Sequence, residues 1–347
     1  MIEGFWYVAS ESQAVQTGRP VAAMLCSRPL VLFRDAAGRA RALDDRCSHK
    51  GVPLSSGWQE GDTLRCRFHG WRFDGGGACV EVPALSGAAH PSPASSCVQT
   101  FPVDERDGWI WVYVGNDRCP KPTAPPPTLP TPPDGSPLVS VRQSAVVKAR
   151  WDFTVDSLAD PAHVPFVHNK YFRQQQVAKK KEKVFTRLPL GFRTVSHNVL
   201  LPDTFIFRFL SPNLGSATAT VDFVLPGIHF EKWEMGNRFA SVMLIATPLT
   251  DRTSRLDISV GWNFLRWVPI GWFARRTMAT TIGQDREVLE LQEQGFGGKE
   301  GRMLLNLEPD QLVVWFRQLR KYHQECLAGA AAPAHPIPEK TTLRWTT

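Results

Sequence analysis

No stretch of the chain reaches about eighteen uninterrupted apolar residues, so no membrane span is expected. The amino terminus, Met-Ile-Glu-Gly-Phe-Trp-Tyr, lacks the basic-then-apolar layout of an export signal. No Gly-rich dinucleotide or flavin fingerprint occurs, which leaves any nicotinamide to be read by another polypeptide. The seven cysteines (Cys26, Cys47, Cys66, Cys79, Cys97, Cys119 and Cys326) are too scattered for a secreted disulfide framework, and the expected setting is the reducing cytoplasm. Internal repeats are absent. Acidic residues are in modest deficit, giving a net charge of +7 and a pI near 9.1, but the basic residues are dispersed. The single dense run is Lys179, Lys180, Lys181 and Lys183, read as a solvated loop or as a docking patch for an acidic redox partner rather than as a nucleic-acid face.

What is present is chemically pointed. Cys47 and His49 in Cys-Ser-His, and Cys66 and His69 in Cys-Arg-Phe-His, form a C-x-H…C-x2-H pattern with sixteen residues between its halves. Each half offers one thiolate and one imidazole. Two thiolates on one iron and two imidazoles on the other are what a Rieske [2Fe-2S] cluster requires. Tetrahedral zinc also accepts two Cys and two His, but its patterns usually pair like with like.

With 347 residues and 43% hydrophobic content, the chain can bury two cores. Residues 20–115 read as short strands: Val21 to Cys26, Leu30 to Phe33, a turn at Asp35-Ala-Ala-Gly38, Ala40 to Leu43, and a closing strand at Trp109-Ile-Trp-Val-Tyr-Val114. A proline-dense linker follows, expected to separate a domain at 1–118 from one at 139–347, with the linker itself at 119–138. Alternating segments near 139–148, 184–200, 203–211, 216–225, 228–235, 239–248 and 255–264 predict a large antiparallel sheet. Helices are expected from about Gly271 to Gln294 and from about Asp310 to Leu327. The fold class is therefore α+β, an all-β domain followed by a sheet packed against helices. The stretch Phe264 to Phe273, with Arg275 and Arg276 behind it, is expected to pack against that sheet; the alternative is an entrance for a large apolar substrate or a membrane-surface contact.

A second constellation follows the linker: Asp156-Ser-Leu-Ala-Asp160-Pro-Ala-His163-Val-Pro-Phe-Val-His168. Two histidines five apart, close behind an aspartate, can converge on one cation if the segment is helical or bent. Taken alone, they read more readily as surface or core histidines than as ligands.

Cys47-Ser-His-Lys-Gly-Val-Pro-Leu-Ser-Ser-Gly57, Cys66-Arg-Phe-His-Gly-Trp-Arg-Phe-Asp-Gly75 and Gly77-Ala-Cys-Val-Glu-Val-Pro83 together resemble the Rieske domain of bacterial Rieske non-haem iron oxygenases. Lys50 departs from the arginine usual there. Respiratory Rieske proteins are also similar, but Val52 and Phe68 stand at their disulfide positions and Trp71 and Phe73 replace their hydroxyl donors, which implies a lower potential. Asp160-x2-His163-x4-His168 resembles the mononuclear iron motif of the same family, with wording similar to the pheophorbide and chlorophyllide oxygenase branch; Cys326 stands alone where some of that branch carry Cys-x-x-Cys.

Two imidazoles and one carboxylate on a face suit oxygen-activating iron, and Asp285 matches the family's Asp-x3-Leu-Glu-x-Gln helix, with Glu290 next. The resemblance implies a helix-grip catalytic domain, Fe(II) on His163, His168 and Asp285, and Asp160 as a carboxylate linking a Rieske histidine of one subunit to an iron ligand of the next. A helix cap before Pro161 is the alternative role for Asp160. The resemblance also implies a head-to-tail ring, usually a trimer, and a separate ferredoxin or flavin/iron–sulfur reductase through which NADH or NADPH acts indirectly.

The implied function is a terminal oxygenase that uses O2 for monooxygenation, by hydroxylation or oxidative demethylation, of an apolar aromatic or polycyclic small molecule. Ring cis-dihydroxylation, a plain Rieske electron carrier and a ligand-binding helix-grip protein are the alternatives. The pocket is expected among strands that carry Phe205, Phe207, Phe209, Phe223 and His229, without assignment.

Overall fold

The computed structural model describes residues 2–85, 96–116, 119–168, 180–199, 217–297, 307–329 and 333–346. Two compact units form, one of Glu3–Thr128 with Pro248–Asp251, the other of Leu129–Thr247 with Arg252–Thr347.

Among its described residues the first unit is β-strand apart from short 3-10 turns and a helical residue at Ser96. Its strands are β1 (Phe5–Glu11), β2 (Val21–Leu25), β3 (Arg28–Arg34), β4 (Ala40–Asp44), β5 (Trp58–Glu60), β6 (Thr63–Arg65), β7 (Arg72–Asp74), β8 (Cys79–Glu81), β9 (Thr100–Phe101), β10 (Val103–Arg106) and β11 (Trp109–Val114). They form three antiparallel sheets among the described residues, ordered β1-β11-β10, β2-β3-β4-β9 and β5-β6-β7-β8. Strand β11 is central rather than closing, because β1 pairs along its other side from Phe5↔Val114 to Glu11↔Trp109. Alternation on β3 divides two cores: Leu30 and Leu32 join Tyr7, Ile110 and Val112, whereas Val31 and Phe33 join Leu43, Leu64, Phe73, Cys47 and Cys66. The apolar bed beneath the two cysteines is thus one face of this strand and its neighbours.

The second unit contains β12 (Val139–Val147), α1 (Trp151–Ala159), α2 (Val164–Val167), β13 (Lys180–Leu188), β14 (Gly191–Val199), β15 (Ala217–Val224), β16 (Ile228–Met235), β17 (Arg238–Thr250), β18 (Thr253–Trp262), α3 (Gly271–Phe296), α4 (Gln311–Leu327) and β19 (Lys340–Thr346). The strands make one antiparallel sheet, β12-β18-β17-β16-β15-β14-β13-β19, gripped by the helices. Helix α3 buries Met278, Ile282, Asp285 and Leu289, a spacing of four, three and four that defines one face. Its apolar members pack on Val141, Leu256 and Ile258, each burial contributing roughly 2 kcal/mol. Helix α4 inserts Trp315 and Phe316 against Phe185, Phe192 and Phe223.

Several expectations are corrected. The single segment 184–200 is two strands, because Pro189 cannot donate to a ladder and the chain turns there into β14. Residues Lys180, Lys181 and Lys183 lie on strand β13, not in a loop, with Lys181 over the Trp345 ring and Glu182 paired to Arg344. Residue Lys179, the segment 203–211 and Phe205, Phe207 and Phe209 lie outside the described residues. Phe223 is core, stacked on Phe192 at 5.3 Å.

Candidate metal centres

The first centre is built from two copies of one local structure. The Cys47 N–H donates to the Val52 carbonyl at 2.9 Å and Gly51 N–H returns to the Cys47 carbonyl at 2.8 Å. In the second loop the same two bonds run from Cys66 to Trp71 (2.8 Å) and from Gly70 to Cys66 (3.0 Å). Each turn closes through a glycine with left-handed φ, +74° at Gly51 and +72° at Gly70, a conformation costly for any residue with a Cβ. The loops leave β4 and β6, so both are anchored at strand ends. The Ser55 N–H and hydroxyl both donate to the buried carboxylate of Asp45, tying down the first loop, and Arg65 Nη1 donates to the Gly70 carbonyl in the second.

This geometry brings together all four donors singled out from the sequence. Cys47 and Cys66 are 3% and 2% exposed and their thiols touch each other, while the rings of His49 and His69 lie 4.6 Å apart. Burial and the neighbouring Cys66 sulfur push the Cys47 thiol up to about 11, despite backbone N–H groups of His49 and Lys50 that act to lower it. Two thiols crowded in an apolar bed lack the positive charge that would make them thiolates; iron supplies it, and the donor set fits a [2Fe-2S] cluster. Trp71, standing where respiratory proteins have a hydroxyl, stacks on His49 at 4.7 Å with an interplanar angle of 5°. Burial, the facing His69 and nearby Lys50 lower the His49 pKa, which favours the neutral ring that a metal needs.

The second centre starts where α1 stops. Pro161 disfavours helix at Asp160, which turns extended (φ −86°, ψ 112°) and caps the carboxyl end of α1. Asp160 therefore does not start a helix; its Oδ1 accepts from Ala162 N–H at 2.7 Å and shapes a bend. The single turn of α2 then runs between His163 and His168, holding their rings 5.6 Å apart. His163 Nδ1 lies 2.6 Å from the Asp160 backbone carbonyl and 3.9 Å from its carboxylate, so the peptide oxygen is the ring's hydrogen-bond acceptor. His168 Nδ1 lies 3.0 Å from Gln284 Oε1. Both rings consequently keep Nδ1–H as donor and turn Nε2 toward a common point.

At that point stands Asp285, whose Oδ1 is 3.1 Å from His168 Nε2 and 3.8 Å from His163 Nε2; the three donor atoms lie within 4.8 Å of one another. Asp285 Oδ1 is buried, and among the described residues no aligned hydrogen bond reaches it. A buried, under-satisfied carboxylate oxygen facing two imidazole nitrogens is costly alone and is resolved by a divalent cation. The set of two imidazoles and one carboxylate fits ferrous iron. Burial alone would lower the His168 pKa, but the adjacent Asp285 carboxylate and Gln284 outweigh it and raise it. A proton at Nε2 and a metal there exclude each other, so acidification opposes metal binding. Glu290 is not in the cluster: its Oε1 accepts from Lys148 N–H, and Glu293 pairs with Arg150, leaving Glu287 as the solvent-facing acid.

The sheet face under the helices carries a further set. Residues opposite one another on antiparallel neighbours share a face, so Glu231 lies with Val221 and Val242, and Trp233 with Ala219 and Ala240. Val242, Ala240 and Leu244 pack toward α3, yet they, Val221, Glu231 and Trp233 all retain accessible surface, whereas Met243 and Ile245 on the reverse face are fully buried. Those partly accessible residues form a patch on the sheet face that packs toward α3. His229 bridges it to α1, with Nδ1 3.0 Å from the Leu158 carbonyl and Nε2 3.0 Å from Glu231 Oε1; Trp233 Nε1 donates to Glu231 Oε2. Burial would raise the Glu231 carboxyl, but His229, Trp233 and Lys183 outweigh it and hold it below its ordinary range. Gln284, Arg65, Glu231 and Trp233 were not singled out from the sequence: Gln284 acts through a partner 116 residues away, and the short-range partners of the other three form no motif that announces them.

Two loops that bury Cys47 and Cys66 and leave His49 and His69 exposed, and a separate His2Asp triad on a helix-grip sheet, define a two-centre, non-haem iron redox protein. Comparison with known families agrees: residues 5–102 match the Rieske [2Fe-2S] domain, and residues 147–325 match the vanillate O-demethylase oxygenase C-terminal domain. The chain belongs to this family of Rieske non-haem iron oxygenases, and it is an oxidoreductase. It is 25% identical to a 4β-methylsterol monooxygenase of Methylococcus capsulatus over 89% of this chain and 85% of that one. It is 28% identical to a pheophorbide a oxygenase of Oryza sativa subsp. japonica over 97% of this chain and 68% of the relative. The match to a toluene-4-sulfonate monooxygenase iron–sulfur subunit of Comamonas testosteroni, 33% identical, spans 48% of this chain and 46% of that one. A crystal structure of dicamba monooxygenase bound to dicamba shares the fold, with a TM-score of 0.76 and 24% identity over 95% of this chain and 99% of that one. No helix among the described residues is long and apolar enough to cross a membrane.

Proposed function

We propose that the chain is the terminal oxygenase component of a multi-component system and inserts one oxygen atom into an apolar aromatic or polycyclic substrate, by hydroxylation or oxidative demethylation. In this reading residues 1–118 are the Rieske domain, 119–138 the linker and 139–347 the catalytic domain. Cys47, His49, Cys66 and His69 hold the [2Fe-2S] cluster, and His163, His168 and Asp285 hold Fe(II). When bound, the cluster supplies electrons singly and the ferrous ion supplies the site at which O2 is reduced. The single observation that carries the reading is the convergence of the His163, His168 and Asp285 donor atoms within 4.8 Å around a carboxylate oxygen that lacks an aligned partner.

The chain's own groups do the rest. Gln284 and the Asp160 carbonyl fix the tautomers of the two imidazoles, and the apolar wall of Val221, Ala240, Val242 and Leu244 excludes water from the reacting carbon. Glu231, the polar station on that wall, orients a substrate hydroxyl or N–H. The named activities of the sterol and pheophorbide relatives support a polycyclic substrate, and the relatives named as monooxygenases support monooxygenation over dihydroxylation. The Asp160 carboxylate, 32% exposed, is free to reach a Rieske histidine of a neighbouring copy in a homotrimeric ring.

The test is a single turnover of dithionite-reduced protein with ¹⁸O2 across sterols, tetrapyrroles and methoxylated aromatics, which needs no reductase. The expected product carries one labelled oxygen, or has lost a methyl group as labelled formaldehyde. A vicinal diol carrying both labelled atoms would establish dihydroxylation instead, and a cluster that is reoxidised with no labelled product from any of these compounds would leave an electron carrier.

A further inference from the structure

The apolar stretch that follows β18 meets two fates. Phe264, Ile270 and Ala274 pack into the core formed with Val141, Ile258 and Met278. Leu265, Trp267, Val268, Trp272 and Phe273 do not: Trp267 is 97% and Trp272 67% exposed, and the other three are exposed as well. The sequence expectation that the whole stretch packs on the sheet therefore holds for only part of it. Helix geometry explains the division, because Ala274, Met278 and Ile282 take the inner face of α3 and leave Trp272, Phe273, Arg275 and Arg276 on the outer one.

The projecting residues are held, not loose. Val268 N–H donates to the Leu265 carbonyl at 3.0 Å, Ile270 N–H to Val268 at 2.7 Å, and Ala274 N–H to Ile270 at 2.9 Å, so a bonded turn leads straight into α3. Along the segment itself the charge has one sign. Between Asp257 and Asp285 the charged residues are Arg266, Arg275 and Arg276, all three exposed. Exposed aromatic and aliphatic side chains interleaved with arginines, with no acid among them, complement a surface that is apolar within and anionic at its rim.

We propose that the face formed by residues 265–276 docks on an anionic lipid surface, its two tryptophans seated at the headgroup–acyl boundary and its three arginines on lipid phosphates. A two-fold contact between copies through this face would set the arginines of one copy against those of the other, and a head-to-tail contact between copies is the outcome that light scattering of the variants distinguishes. The inference is independent of the iron chemistry and goes beyond the reaction: it places the enzyme where water-insoluble substrates reside.

The test uses the full-length iron-loaded protein and sedimentation with vesicles of phosphatidylcholine containing about 30% phosphatidylglycerol, against phosphatidylcholine alone. Binding is expected to the anionic vesicles and to weaken as salt is raised. Replacing the arginines (Arg266→Glu, Arg275→Glu, Arg276→Glu) should weaken it by roughly 100-fold. Trp267→Ser with Trp272→Ser should also release the protein, and both variants should keep the visible cluster spectrum that reports folding. Vesicle binding unchanged in both variants, or absent in the parent, would overturn the proposal. So would a fall in particle mass by light scattering in the variants without vesicles, which would identify the face as a contact between copies.

Discussion

Replacing His163 by alanine should strip the mononuclear iron from the protein while leaving the cluster and its visible absorption intact. His163 contributes one of three converging donors and is 21% exposed, so its removal deletes a ligand without opening a large cavity. The remaining pair, His168 Nε2 and Asp285 Oδ1 at 3.1 Å, can then close on each other instead of on a metal. Substrate turnover should fall by more than about 100-fold, beyond the roughly 10- to 100-fold loss typical when only an outer hydrogen-bond partner of a ligand is removed. Metal analysis, optical spectra and turnover on one preparation check this together. Retained activity with full iron would remove His163 from the ligand set.

Asp160→Asn should do the opposite, keeping both metals and stopping the electron between them. The iron-facing ring is held by the backbone carbonyl of residue 160, which substitution leaves in place, and an asparagine Oδ1 can still accept from Ala162 N–H at the bend. What the substitution removes is the charge. Burial raises the Asp160 carboxyl, the nearby Asp310 adds to that, and Ala162 N–H and His163 act against it. A carboxylate in such a place is suited to pair with an imidazole N–H rather than with bulk water. If it links a Rieske histidine of the neighbouring copy to His163, turnover of the asparagine variant should fall by about 100-fold with unchanged iron content. Stopped-flow oxidation of the reduced cluster under O2 and substrate resolves the step, and a rate equal to the parent's would eliminate the bridge.

The convergence of the four candidate cluster donors was legible because each half is local: Cys47 and His49, and Cys66 and His69, sit on turns of a few residues, so spacing alone encodes the geometry. His163 and His168 were legible for the same reason, once Pro161 is seen to stop α1 and release a bend. Asp285 was reached through the family's helix motif, yet a physical signal exists in the chain, since an acid occupies the third position of the apolar stripe Met278, Ile282, Asp285 and Leu289. Gln284 was invisible, being defined by a partner 116 residues away. Strands β1 and β19 were missed on similar grounds: β1 pairs with β11 at the far end of its unit and β19 with β13, and no hairpin announces either. The β13–β14 boundary failed because alternation continues on both sides of Pro189 and only the proline marks the turn.

The account stands on two iron centres in one chain, and metal counting addresses that most directly. Anaerobically purified protein should hold about three irons and two acid-labile sulfides per chain, and a ferrous chelator should remove one iron, abolish turnover and leave the visible spectrum unchanged. Two irons with undiminished turnover, or zinc in place of the cluster, would contradict it.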